Sequence, residues 1–211
     1  MKIALINENS QAAKNSIIFQ ELEQEAKKAG HTVFNYGMYS ANDTHQLTYV
    51  KIGLLAAILI NSKAVDFVVT GCGTGQGAML ACNSFPNVLC GYIVDSLDAY
   101  LFGQVNDGNA IAMPFAQGFG WGGELNLRYT FEKLFSEEFG GGYPRERAIP
   151  EQTNKRILDD VKKITHQPLM SILKNIDQTF LKETIDYPEF KEYFFTNCQD
   201  KEIADYLLSL I

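Results

Sequence analysis

The chain has 211 residues, of which 46% are hydrophobic, 12% aromatic and 20% charged. This globular composition excludes a disordered tail, a collagen-like chain or a coiled-coil rod, and the length suits one main core with an appendage. A formal charge of −7 argues against nucleic acid or an anionic membrane as partner, so any anionic ligand has to be captured locally.

The opening MKIALINENS reads directly as a strand without a leader, and no apolar run approaches the ~18 residues of a membrane span. A soluble, cytoplasmic protein is the expectation. Apolar, β-rich runs at residues 3–6, 32–36, 66–70, 88–94 and 109–113 each predict a buried strand. Helical stripes lie between them: residues 11–29 with Ile18, Leu22 and Ala26, and residues 46–62 with Leu47, Val50 and Leu54, with further helices beginning near Gln76 and Ser96. Strands alternating with helices imply crossover connections, which gives a doubly wound, five-stranded parallel α/β sheet, Rossmann-like, with helices on both faces.

All 17 glycines fall at or before Gly142, so the tight βα turns stop there. The expected division is an α/β domain over residues 1–149 and a C-terminal helical extension over residues 150–211, with residues 140–150 as hinge. The extension reads as three or four short helices broken by Pro168 and Pro188. Its stripes, including Tyr187, Phe190 and Phe194, are expected to pack on the sheet domain or at a subunit interface.

The strongest chemical signal is Gly71-Cys72-Gly73-Thr74-Gly75-Gln76-Gly77, a strand running through alternate glycines into a helix. Glycines let the backbone approach a ligand, and the free N–H groups of the following helix can hold an anion or an oxyanion. In open parallel sheets ligands bind at the carboxyl ends of the strands, which places Cys72 and Thr74 at the site. The positive end of the helix favours a thiolate there, so Cys72 reads as a base or nucleophile, or else as a small buried residue in a tight turn. Cys82, Cys90 and Cys198 read as structural. None of the four has CxxC or disulfide spacing, so free thiols are expected, and the scattered His31, His45 and His166 disfavour a metal.

A rival reading is a dinucleotide-binding protein, from G-x-G-x-x-A at residues 73–78 with Asp95 beyond the next strand. A second cluster, Gln104 to Asn109, carries Asn106 and Asn109, amides that suit carbonyl and hydroxyl groups and equally suit turns. Arg145 and Arg147 read either as a phosphate or carboxylate clamp or as a solvated hinge pair. Asn7, Glu8 and Asn9 follow the first strand, and His45 is the histidine nearest the strand ends.

Together these residues resemble the ribose-5-phosphate isomerase type B and galactose-6-phosphate isomerase family, over residues 2–147. The resemblance implies that Cys72 moves a proton between C1 and C2 of an open-chain sugar, with Thr74 and the amides of Gly73, Gly75 and Gly77 on the enediolate. It implies Asn106 from the partner subunit of a homodimer or dimer of dimers, and no cofactor. The departures are informative. Glu8 and Asn9 stand where the family usually has aspartate and histidine, and Val105 stands where a histidine precedes the asparagine. Arg147 matches one phosphate-gripping arginine, while Tyr143 and Gln117 replace two others. His45-Gln46-Leu47 replaces an Asp-Tyr-Pro loop. Losing the ring-opening histidine and two arginines suggests an open-chain sugar acid such as a keto-deoxy-uronate, handled by longer family members with a C-terminal extension, against a phosphorylated pentose or hexose. His45 then assists proton transfer, and Arg145 or Arg147 anchors the anionic end. A non-catalytic sugar-binding protein is the alternative from another class.

Overall fold

The computed structural model describes residues 1–211. Strands β1 (Lys2–Asn7), β2 (Thr32–Asn35), β3 (Phe67–Cys72), β4 (Cys90–Tyr92) and β5 (Ala110–Pro114) form one all-parallel sheet in the order β2-β1-β3-β5-β4. Successive residues face opposite sides. Ile3, Leu5, Phe67 and Val69 enter one core, whereas Ala4, Ile6 and Val68 enter the other. Because both faces are covered, the strands read as unbroken apolar runs.

Helices α1 (Asn15–Lys28) and α5 (Gly123–Leu134) cover one face through Ile18, Leu22, Leu127 and Phe131. Helices α2 (Tyr49–Asn61) and α3 (Gln76–Asn83) cover the other, and α4 (Ser96–Leu101) caps the β4 side. The helix predicted from residue 11 begins at Asn15, because a 3₁₀ turn, Asn9–Lys14, comes first. The Glu8 carboxylate caps that turn by accepting from the Ser10 N–H at 3.1 Å. Helix α4 runs on into a π-helical turn, Phe102–Asn106, which ends at Asp107 with φ 48°.

The extension holds five helices where three or four were predicted: α6 (Ala148–Thr165), α7 (Leu169–Asn175), α8 (Gln178–Ile185), α9 (Pro188–Asn197) and α10 (Lys201–Leu208). Pro150 sits in the first turn of α6 and Pro188 opens α9, positions where a missing N–H costs nothing. Helix α2 is buried from Ile52 through Leu59, since the sheet lies on one flank and α7 and α8 on the other.

Tyr187, Phe190 and Phe194 are buried in one core with α2 and the sheet, so of the two expected places for this stripe it takes the sheet domain and not a subunit interface. Phe190 and Phe194, one turn apart, stack at 4.6 Å, and the neighbouring Tyr193 reaches Tyr36 at 5.5 Å. The α6 stripe behaves oppositely: Leu158, Val161 and Ile164 face solvent.

Truncating a fully buried Phe costs about 3–5 kcal/mol. Phe194→Ala should therefore lower unfolding stability by that amount in urea titrations, equally at low and high protein concentration.

Candidate functional site

The order of the sheet reverses at β1, whose chain leaves toward β2 on one side while β3 lies on the other. Such a switch point opens a crevice beyond the carboxyl ends of the two strands. There Asn7 is paired with Gly71, and Cys72 with Pro114. At Gly71 a Cβ would stand 2.3 Å from the Met113 carbonyl oxygen, and Gly75 turns the chain into α3 with φ +72°. Each position admits only glycine.

Cys72 is 8% exposed. A Cβ at Gly77 would lie 3.8 Å from its Sγ and 3.3 Å from the Tyr49 ring, so the bare first turn of α3 faces the sulfur. Thr74 and Gln76 are exposed beside it. Gly75 caps α3 without a side chain, which leaves the N–H groups of Gln76, Gly77 and Ala78 without intrahelical partners. Free amides at a helix start beside a thiol can stabilise an oxyanion next to a proton carrier.

The turn after β1 forms the opposite rim. The Asn9 N–H donates to the Leu47 carbonyl at 2.8 Å, and its amide reaches Gln46 Oε1 at 3.4 Å. Glu8 is engaged in capping, its carboxylate also accepting from the Ser10 hydroxyl at 2.5 Å. Asn7 is fully buried, donates to the Gln11 carbonyl and accepts from Asn15. The contacts of His45 are with the extension: its ring stacks on Tyr187 at 4.0 Å. Burial, then the charge of Lys51, brings its pKa down to about 4, so it is neutral at pH 7.

Two residues of this rim escaped the sequence. Lys14 Nζ donates to the Phe115 carbonyl and to Gln11 Oε1 at 2.9 Å, and lies 4.4 Å from the Phe119 ring centre; burial lowers its pKa. Phe115 in turn donates its N–H to the Cys72 carbonyl at 3.0 Å. The Gln11 amide lies 3.8 Å from where a Cβ on Gly73 would be. These neighbours depend on the 3₁₀ turn after β1 folding across the end of β5, which no local pattern signals.

The second cluster lies at the other edge of the sheet. Asn106 is exposed just ahead of β5, about 16 Å of strand from the Cys72 edge. Asn109 is structural: it accepts from the Leu89 N–H at 2.8 Å and donates to the Asn87 carbonyl at 2.7 Å. Arg145 pairs with Glu137 at 2.7 Å and Arg147 with Glu151 at 3.9 Å, both arginines largely exposed. One chain does not bring Asn106, Arg145 or Arg147 to Cys72. Asp95, which the dinucleotide reading needs for a ribose, instead caps α4 by accepting from Leu97 and Asp98.

Residues 3–147 match the Ribose/Galactose Isomerase family, and residues 164–210 match a second family described as Ribose-5-phosphate isomerase. The chain belongs to the ribose/galactose isomerase family. No curated protein sequence matches it. A solved 4-deoxy-L-threo-5-hexosulose-uronate ketol-isomerase, complexed with a tartrate, is 65% identical with a TM-score of 0.97, covering 100% of this chain and 99% of that one. A ribose-5-phosphate isomerase from Vibrio parahaemolyticus is 55% identical with the same TM-score and coverage. A ribose 5-phosphate isomerase from Thermotoga maritima, 21% identical, shares the fold over 75% of this chain and 97% of its own, with a TM-score of 0.58. The chain is thus an intramolecular sugar isomerase, against both the binding-only and the dinucleotide readings. No helix is long and apolar enough to cross a membrane.

A histidine whose folded pKa lies below its unfolded value stabilises the fold above the unfolded value and loses that contribution as pH falls toward the folded one. For His45 the window runs from 6.5 down to about 4. His45→Asn should therefore lose less melting temperature than the parent between pH 7 and pH 5. His31, also lowered by burial, is present in both proteins and cancels.

Proposed function

We propose that the chain is an aldose–ketose isomerase of an open-chain sugar acid of the keto-deoxy-uronate class, with Cys72 as base and each site completed by a second copy of the chain. The observation that carries the reading is the Cys72 thiol at the switch point beside the uncapped amides of α3. The 65% identical relative named as a uronate ketol-isomerase supports the substrate class.

The Cys72 thiolate removes the proton from the hydroxyl-bearing carbon beside the carbonyl. The C–H electron pair becomes the enediolate double bond, and the carbonyl oxygen takes the negative charge. Thr74 and the amides of Gln76, Gly77 and Ala78 hold that oxygen, where fixed donors are most effective. The thiol then returns its proton to the former carbonyl carbon, and a hydrogen passes between the two oxygens. No atom is gained or lost and the overall oxidation level is unchanged, so the step consumes no oxidant, reductant or co-substrate.

A second copy solves the separation of the two clusters. In this arrangement the domain of residues 1–149 supplies Cys72 to one site and Asn106, Arg145 and Arg147 to the other. Leu158, Val161 and Ile164 on α6, with the exposed Leu80 on α3, give that dimer an apolar surface to bury. Asn7, Glu8 and Asn9 shape the rim, and His45, neutral and stacked, orders the loop ahead of α2. The extension of residues 150–211 is then a part of the fold that buries α2 and carries the interface stripe.

Cys72→Ala should abolish turnover, a loss of at least about 10²-fold, and Thr74→Ala should lower kcat by about 10²-fold with the fold intact. Isomer formation followed by NMR across pentose phosphates, hexose phosphates and keto-deoxy-uronates decides the class. Turnover confined to the phosphates would overturn the sugar-acid reading, and full turnover by Cys72→Ala would overturn the base.

Mixing separately inactive Cys72→Ala and Asn106→Ala proteins under subunit exchange should restore about a quarter of parental activity, since half the dimers are mixed and each holds one intact site. Lack of recovery despite exchange, measured by native mass spectrometry, would rule out the shared site.

A further inference from the structure

The only tryptophan of the chain, Trp121, is 105% exposed, so this large apolar side chain contributes nothing to either core. It stands in Gly118-Phe119-Gly120-Trp121-Gly122-Gly123, the loop between β5 and α5. Gly118 and Gly122 have φ of +63° and +80°, and a Cβ at Gly118, Gly120 or Gly122 would meet nothing within 4 Å. The tip of this loop stands clear of the rest of the chain, closed on itself by the Gly123 N–H donating to the Gly120 carbonyl at 2.9 Å, while its root is tied to the candidate site. The Ala116 N–H donates to the Gly73 carbonyl at 3.0 Å, in the glycine turn itself, and Phe119 is held under Lys14 at 4.4 Å.

What is assembled around Cys72 is mostly polar, Thr74, the α3 amides, Gln11 and Lys14, with the Tyr49 ring as its aromatic neighbour on the α2 side. An open-chain sugar acid has a second aspect, the C–H and deoxy carbons of its backbone, and Tyr49 on the α2 side leaves the side toward β5 without an aromatic wall of its own. Sugar and cofactor sites combine a few directed polar groups with an apolar or aromatic wall that excludes water. A tryptophan supplies a large flat apolar face at the cost of ordering only two side-chain torsions. Glycines on both sides of it allow the tip to turn inward about a fixed root.

We propose that Trp121 is a substrate-contacting residue, which the glycine loop lays over the carbon backbone of the sugar acid bound at Cys72. The inference rests on the sugar-acid isomerase reading above and adds to it the residue that excludes water from the enediolate. The loop tip is open in the free protein and closed on the bound one.

Because the tryptophan is unique, its fluorescence reports on this residue alone. The Cys72→Ala protein, which binds without turning over, is titrated with 4-deoxy-5-hexosulose-uronate and with tartrate, each by calorimetry and by Trp emission in parallel. A blue shift that saturates with the heat of binding is expected. In the protein with Cys72 intact, Trp121→Ala should raise KM about tenfold and Trp121→Phe should restore most of the loss. Binding heat without any change in emission, or an unchanged KM in Trp121→Ala, would overturn the assignment while leaving the isomerase reading in place. Emission that follows protein concentration and ignores ligand would make Trp121 an interface anchor and overturn it equally. Neither heat nor turnover with any uronate would remove the sugar-acid reading and this inference with it.

Discussion

Every strand of the sheet runs the same way, and most of the rest depends on that constraint. Parallel pairing puts all the carboxyl ends on one edge and all the amino ends on the other. Residues that end β3 and residues that lead into β5 are then held apart by the length of a strand, however close they are in sequence. Cys72 with the α3 amides falls on one edge, Asn106 with Arg145 and Arg147 on the other. No side chain rearrangement bridges about 16 Å of sheet. On the proposed reading, in which the chemistry draws on both edges, the chain meets another copy of itself, and the exposed α6 stripe offers an apolar surface for that meeting.

The same arrangement explains why the extension is needed. Helix α2 is apolar around most of its circumference, and a helix of that kind is stable only when covered on both sides. The sheet covers one flank. The other is closed by α7 and α8, and α9 fills the adjoining space with Phe190 and Phe194. His45 lies on this seam: it precedes α2 in sequence and stacks on Tyr187 of the extension. The loop that forms the Asn9 rim is thus braced by residues more than a hundred positions further on.

What the sequence made legible was local. Strands buried on both faces announce themselves as apolar runs, and glycines at alternate positions announce a turn that must approach a ligand or a neighbouring strand; the 2.3 Å approach at Gly71 is the physical content of that signal. The boundaries that shifted, at Asn15 and along α6, did so through caps and a first-turn proline. What could not be read was which surface an apolar stripe faces. Val161 and Phe194 carry the same helical spacing, yet one points to solvent and the other into the core, because periodicity defines a face without defining its cover. Lys14 was illegible for a related reason: its contact with Phe115 spans 101 positions and is created by the way a 3₁₀ turn folds over β5.

On the sugar-acid reading an acidic chain must concentrate its cations to handle an anion, and the two edges do this differently. Lys14 is partly buried and held by Gln11 and the Phe115 carbonyl, so its charge is fixed in place before any ligand arrives. Arg145 and Arg147 rest on Glu137 and Glu151 in exposed pairs, and such pairs are worth only about 0–1 kcal/mol. Exchanging one of those carboxylates for a substrate carboxylate is therefore nearly neutral in the free protein and becomes favourable where a partner subunit excludes water, since the bidentate bond strengthens as the local dielectric falls. On the proposed reading the fixed cation is set to meet the ligand near the thiol, whereas the loosely held arginines answer to assembly. In the proposed dimer, anion capture by the arginines depends on the same partner that supplies Asn106.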